Sequence, residues 1–520
     1  MLPFMMGGVC HAEDITIRYN GAKAKVTQSA KDSVKVTVDG AKVNIESQFV
    51  AHKLTLRLTG KSDDGQLELK TAGKAKVKLD GLTLTSQEGA PLTLKNKKKV
   101  EIVAVKGTKN TLTITACTDT ANHKAATIWA KDKLLLSGKG TLNVIATGDG
   151  CRGIKSKKDV TIEELTLNVT TSGDNLGEKP FSFGGFPGFG DGEMPDFGGG
   201  FPPFGNDSTR RGDFPMPDFG GGFPPFGNDS TRRGDFPMPD FGGGGFPPFG
   251  NDSTEQGGGF MGKHKYVAST KGIASKGKIT FNSGNVTVRT STPGAEGIEG
   301  KEGIVFNGGD IDVMTTDDAI NANATIEFNG ANVTARSTTN DAVDSNPKSG
   351  FFMFMPPKLG GDRGLNEGTS DATSDPQPPN LGGIGSEEPA IIIRGGKVYA
   401  WSQVGSPEEG LDCDFAPLLI EGGQVFSVGG GMGEMPSVPT NDTAKQPTAL
   451  LIGLNIVKDE PVSIYDGSGK FLDRITIPFS LRRSASLVTC PAFKVGSTYT
   501  VKTKDYEKTF TLSEAFTTVR

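Results

Sequence analysis

KGIASKGKITFNSGNVTVRT at 271–290, EGIEGKEGIVFNGGDIDVMT at 296–315 and DAINANATIEFNGANVTARS at 318–337 are three copies of one phrase. Each passes an apolar corner residue (Ile273, Ile298, Ile320), a short apolar run, a turn and a second apolar run. Asp341-Ala-Val343 and Glu409-Gly-Leu411 open further copies. The copies return every 22 to 25 residues, and self-similarity at such a period marks a repeat architecture. Within a copy the apolar residues alternate, as in Ile279/Phe281 with Val286/Val288 and Ile304/Phe306 with Ile311/Val313. A period of two means strands. One copy cannot bury its own apolar face, so the copies must stack, and the expected product is a right-handed parallel β-helix with one copy per coil.

Outward from this centre the chain reads as an all-β solenoid with low-complexity loop insertions and a C-terminal β cap. Residues 1–12 resemble the end of a secretory signal, and 13–80 alternate as β-structure leading into the solenoid. The first coils are expected over 81–176, the middle coils over 265–346 and the late coils over 390–428. Between them, 177–264 is a Gly/Pro/Phe-rich insertion built on a 22-residue tandem repeat. Its composition cannot make a packed core. A second insertion at 347–389 and a loop at 429–447 share that character, and 448–520 alternate again as the cap.

The net charge of −4 hides an asymmetry. The first third is rich in lysine (Lys95, Lys97, Lys98, Lys99, Lys131, Lys133, Lys155, Lys157, Lys158), whereas the later copies carry Asp and Glu. An acidic chain without a recognition helix or an aromatic-plus-basic module is not a nucleic-acid binder. No apolar run of about 18 residues follows residue 12, so no span is expected. The five cysteines and four histidines fit neither a disulfide framework nor a zinc site.

Taking the corner residue as reference, the position two before it holds Glu296, Asp318, Asp341 and Glu409, and the position one after it holds Glu299, Asn321, Asp344 and Asp412. Stacked strands put equivalent positions about 4.8 Å apart. Like charges at that distance repel by roughly 3 to 4 kcal/mol at an effective dielectric of 20, so the column needs protons, screening or cations. Carboxylate and amide oxygens are hard ligands suited to Ca²⁺, and the candidate metal set is these eight residues with Asp317. Phe281, Phe306 and Phe328, each followed by Asn, are expected to stack in the core.

The order of VKLDGLTLTS at 77–86, KGTKNTL at 106–112, ATIWAKD at 126–132, GIKS at 153–156 and DDAIN at 317–321 resembles the secreted bacterial carbohydrate-binding β-helix proteins of the polygalacturonate-binding type from cellulolytic clostridia. That resemblance implies calcium between coils and binding of acidic plant polysaccharide without cleavage. The chain departs from the family at Arg152 and Lys271, which are basic where later coils carry acids, and in its Phe/Gly/Pro insertions.

Platforms for neutral glycans use exposed Trp and Tyr, and this chain has two Trp and six Tyr. The candidates for glycan contact are Trp129, Tyr399 and Trp401 for stacking, with Lys155 and Lys157 for charge. The expectation is a secreted or cell-surface, calcium-dependent binder of acidic polysaccharide and not an enzyme. An adhesin or scaffold with a cell-surface or matrix partner is the alternative, suggested by the Arg-Gly-Asp triplets at 211–213 and 233–235. A polysaccharide lyase is the second alternative, and would need an Arg or Lys base, of which only Lys301 and Arg336 lie near the acidic column in sequence.

Overall fold

A computed structural model describes residues 14–29, 34–48, 53–117, 125–178, 266–347, 388–405, 408–413, 416–430 and 437–520. The expected signal remnant, the Arg-Gly-Asp triplets and nearly all of the two long insertions lie outside the described residues. Every regular element among the described residues is a strand.

Period-two alternation becomes pairing in a direct way. Each repeat of the middle region contributes one strand to each of three parallel ladders. The corner ladder runs in chain order through Gln66–Thr71, Leu92–Leu94, Ala126–Ala130, Arg152–Ser156, Lys271–Ser275, Glu296–Gly300, Ile320–Ala322 and Val343–Ser345. A second ladder joins Val160–Ile162, Ile279–Phe281, Ile304–Phe306, Ile326–Phe328 and Ile391–Ile393. A third joins Thr166–Thr171, Asn285–Thr290, Asp310–Thr315, Asn332–Ser337 and Lys397–Ser402. Like residues therefore meet like residues: Ile279 pairs with Ile304 and Ile304 with Ile326.

The core follows from this register. Phe281, Phe306 and Phe328 are fully buried, with ring centroids 4.8 and 5.0 Å apart and rings nearly parallel. The asparagines that follow form a hydrogen-bonded ladder: Asn307 Nδ2 donates to Asn282 Oδ1 (3.0 Å) and Asn329 Nδ2 to Asn307 Oδ1 (2.9 Å). Corner glycine sets how closely repeats approach. At Gly297 an added Cβ would meet the Ala319 carbonyl oxygen at 2.4 Å and Val313 Cγ1 at 2.6 Å.

Both long excursions leave the ladders intact. Val160 pairs with Ile279 and Leu167 with Val286 across the first, and Ile326 pairs with Ile391 across the second. At the N-terminal end two antiparallel hairpins, Asp14–Asn20 with Lys23–Gln28 and Val34–Asp39 with Lys42–Ser47, precede the parallel run. At the other end Leu481–Thr489 pairs antiparallel to Gln424–Gly429 and Thr448–Ile456. A four-stranded antiparallel sheet, Phe471–Thr476, Pro461–Asp466, Thr498–Lys502 and Glu507–Thr511, belongs to the same region.

Candidate carbohydrate and cation site

The corner ladder aligns both sets of charged candidates. Its register joins Thr93 to Trp129, Trp129 to Lys155, Lys155 to Ala274, Ala274 to Glu299, Glu299 to Asn321, Asn321 to Asp344 and Asp344 to Asp412. Trp129 and Lys155, assigned from sequence to glycan contact, thus share one row with Glu299, Asn321, Asp344 and Asp412 of the metal set, and the row changes sign between Lys155 and Glu299. A second row lies three residues back along each strand. It links Lys271 to Glu296 and continues through backbone bonds from Gly297 N to Asp318 O, Ala319 N to Asp341 O and Ala342 N to Glu409 O. Between the rows runs a fully buried apolar column containing Ile128, Ile154, Ile273, Ile298, Ile320 and Val343.

At the basic end, Arg152 donates to the Ser269 carbonyl (3.0 Å) and Oγ (3.2 Å). Lys155 is buried, and burial, followed by the positive charges of Arg152, Lys276 and Lys271, pushes its amine down to about 6.

The sign change is bridged by lysine. Lys271 Nζ lies 3.1 Å from Glu296 Oε2 and 2.8 Å from Glu299 Oε1, and Lys301 Nζ lies 2.6 Å from Glu299 Oε1. Burial pushes the Glu299 carboxyl up, but Lys271 and Lys301 together outweigh it and hold the group below the usual carboxylate range. For Glu296 burial prevails over Lys271 and raises the group. An ammonium already stands between these two acids.

The acidic end is organised by amides. Asn321 Nδ2 donates to Asp318 Oδ2 and Asp344 Oδ2, both at 2.9 Å. Asn340 Nδ2 donates to Asp317 Oδ1 (2.8 Å) and Asp318 Oδ1 (2.6 Å), and Asn346 Nδ2 to both Asp344 oxygens (2.8 and 3.0 Å). Asp341 Oδ1 accepts from Glu409 N at 2.5 Å, and Glu409 Oε2 from Ser437 N at 2.7 Å. Burial, then the carboxylates of Asp412 and Asp344, push Asp341 up to about 9. The corner gathers hard oxygen donors, the donor set that suits Ca²⁺, with Asp318, Asn321, Asp341, Asp344 and Glu409 buried. Among the described residues no three His, Cys, Asp or Glu side chains converge on one point, so a shared cation would have to draw these carboxylates together.

The aromatic candidates are placed differently from their expected role. Trp129 is buried beside Ala90 and Ala126, with Lys157 Nζ 5.8 Å from its ring centroid. Trp401 lies in another ladder, paired with Arg336 and packed against Phe426, Val428 and residues of the C-terminal strands. Tyr399 donates its hydroxyl to Asp473 Oδ1 at 2.7 Å. Neither indole is presented as a stacking platform, because strands far off in sequence or neighbouring repeats cover it. Asn340, Asn346 and Ser437, which tie the acids, were not singled out from the sequence. Each lies within a few residues of a corner acid or across a loop from it, and their polarity alone gave no signal.

Residues 39–179 and 251–342, the segments that hold most of both rows, match a family model described as carbohydrate-binding domain-containing protein. No curated protein matches the chain. Among solved structures, the polysaccharide lyase-like protein from C. thermocellum, in a gadolinium derivative, aligns over 64% of this chain and 92% of its own. The identity is 17% and the TM-score 0.37. Over residues 39–179 and 251–342 the chain is similar to a carbohydrate-binding family.

Proposed function

We propose that the chain is an exported, non-catalytic carbohydrate-binding protein whose parallel ladders wind as a right-handed β-helix, closed at the C-terminal end by the antiparallel strands. Its ligand is acidic polysaccharide of the polygalacturonate class, held in part through calcium. The observation that carries this reading is the register of the corner ladder, which stacks Asn321, Asp344 and Asp412 in one row and Asp318, Asp341 and Glu409 in the other. Two rows of oxygen donors at a pitch of about 4.8 Å can hold cations between repeats, and the partly exposed Asp317 and Asp412 are the members open to the carboxylates of a uronate chain. The family match over 39–179 and 251–342 supports carbohydrate as the ligand.

The cation belongs with the acidic end of the corner ladder, not with Glu296 and Glu299, whose charge Lys271 and Lys301 already meet. When bound, Ca²⁺ would supply positive charge between protein and polymer carboxylates. The chain's own residues hold Asp318 and Asp344 in place through Asn321, Asn340 and Asn346.

A glycan array read with calcium and with chelator tests the proposal. Retention of uronate polymers that calcium strengthens is the expected result. No retention under either condition removes the carbohydrate reading, retention indifferent to calcium removes the metal bridge, and unsaturated products released from polygalacturonate replace the binder with a lyase.

A further inference from the structure

One residue beyond the end of most corner strands the pairing continues, and it carries a third row. Lys95 N donates to Leu69 O (2.8 Å), Lys131 N to Leu94 O (2.9 Å), Lys157 N to Ala130 O (3.0 Å), Lys276 N to Ser156 O (3.1 Å) and Lys301 N to Ser275 O (3.1 Å). Together with the register of Leu69 on Leu94, these bonds put Lys70, Lys95, Lys131, Lys157, Lys276 and Lys301 at one position of six consecutive corner strands. At about 4.8 Å per step the row spans roughly 24 Å.

The ends of the row are paired with carboxylates: Lys70 with Glu46, Lys95 with Glu68 and Lys301 with Glu299. The three central members, Lys131, Lys157 and Lys276, are exposed and make no ion pair with any described residue. A row of ammonium groups at this spacing repels itself, and the backbone does not require it. The next two corner strands carry Asn323 and Asn346 at the same position, as the pairing of Gly300 with Ala322 and Ala322 with Ser345 shows.

We propose that this row is a binding track for a linear, carboxylate-bearing glycan lying along the ladder, engaged directly by lysine and without a metal. The proposal rests on the carbohydrate-binding reading but not on calcium. Charge complementarity sets the ligand's sign, and the regular spacing of the lysines suits a polymer with regularly spaced anions. A glycan is favoured over a nucleic acid because all six lysines lie inside the segments that match the carbohydrate-binding family. Single-stranded nucleic acid also needs open aromatic faces for its bases, and the aromatic in this ladder, Trp129, is buried. Released counter-ions supply the driving force, so affinity falls with salt.

The test is equilibrium binding of the full chain to polygalacturonate in chelator, from about 50 to about 200 mM salt, a range over which such contacts weaken measurably. The variants are a triple Lys131→Gln/Lys157→Gln/Lys276→Gln and a control Lys23→Gln/Lys25→Gln/Lys35→Gln in the N-terminal hairpins, all six residues being exposed. Wild type and control should bind in chelator with a steep salt dependence, and the central triple variant should bind at least about tenfold more weakly with an unchanged melting temperature. Equal binding by the triple variant and wild type overturns the track, as does binding that appears only with calcium. Tighter binding of duplex DNA than of polygalacturonate overturns the choice of ligand. Failure to bind polygalacturonate even with calcium marks failure of the carbohydrate reading itself.

Discussion

Lys271 is the residue on which the change of sign along the corner turns. Its side chain is 4% exposed and reaches Glu296 and Glu299, the latter 6% exposed. Lys271→Met leaves two acids in poor solvent contact with one cation fewer. A loss of about 3 kcal/mol is expected, because breaking a buried pair from one side strands the other charge. Adding Glu299→Gln should recover much of it, and urea unfolding midpoints of the single and double variants check both. Lys155 behaves oppositely. Its folded amine titrates at about 6 against an ordinary 10.5, burial being the chief cause and Arg152, Lys276 and Lys271 adding to it, while Glu299 opposes. Between those values the unfolded chain holds a proton that the folded chain lacks, so stability contributed by this site rises with pH from about 6 to about 10. Lys155→Met should raise stability near neutral pH by roughly 1–3 kcal/mol and flatten the pH slope. Unfolding curves measured at several pH values check this, and a slope unchanged by the substitution would count against it.

At the scale of the element, the ladder multiplies each local choice. A strand register that is correct once is correct in every repeat, so the spacing from the corner residue was enough to read both acidic rows and the phenylalanine stack. Phe306 sits between Phe281 and Phe328 with rings at 4.8 and 5.0 Å. Phe306→Ala should cost about 3–5 kcal/mol, the range for truncating a buried aromatic, seen as a lower urea midpoint. A change below about 1 kcal/mol would show that the neighbours collapse into the space. The lysine row stands at an equally constant offset, three residues after Leu67, Leu92, Ile128, Ile154, Ile273 and Ile298, so it too was legible. It was hidden because the early lysines present themselves as a general richness in charge until the strands are aligned. Burial of Trp129 and Trp401 was not legible in the same way. Strand alternation tells which side of a sheet a residue faces, but not whether other elements cover that side, and Trp401 is buried in a cluster with Phe426, Val428 and residues of the strands from Thr448 onward.

In the molecule as a whole, the ladders accept long excursions at chosen places and resume in register, as Leu167 on Val286 and Ile326 on Ile391 show. That continuity aligns positions from Lys70 to Asp412 along one ladder despite their distance in sequence, the lysines at 131, 157 and 276 exposed and most of the later acids buried. The corner runs from lysines at its beginning to oxygen donors at its end, and a uronate polymer would meet ammonium groups along one part and need a cation along the other. Calorimetric titration of polygalacturonate into wild type and into Asp344→Asn/Asp412→Asn, each with calcium and with chelator, tests this most directly. Calcium should tighten binding by wild type about tenfold or more, as expected when like charges at short range gain a bridging cation, and should leave the double variant nearly unchanged. Wild-type binding with the same affinity in calcium and in chelator would contradict it.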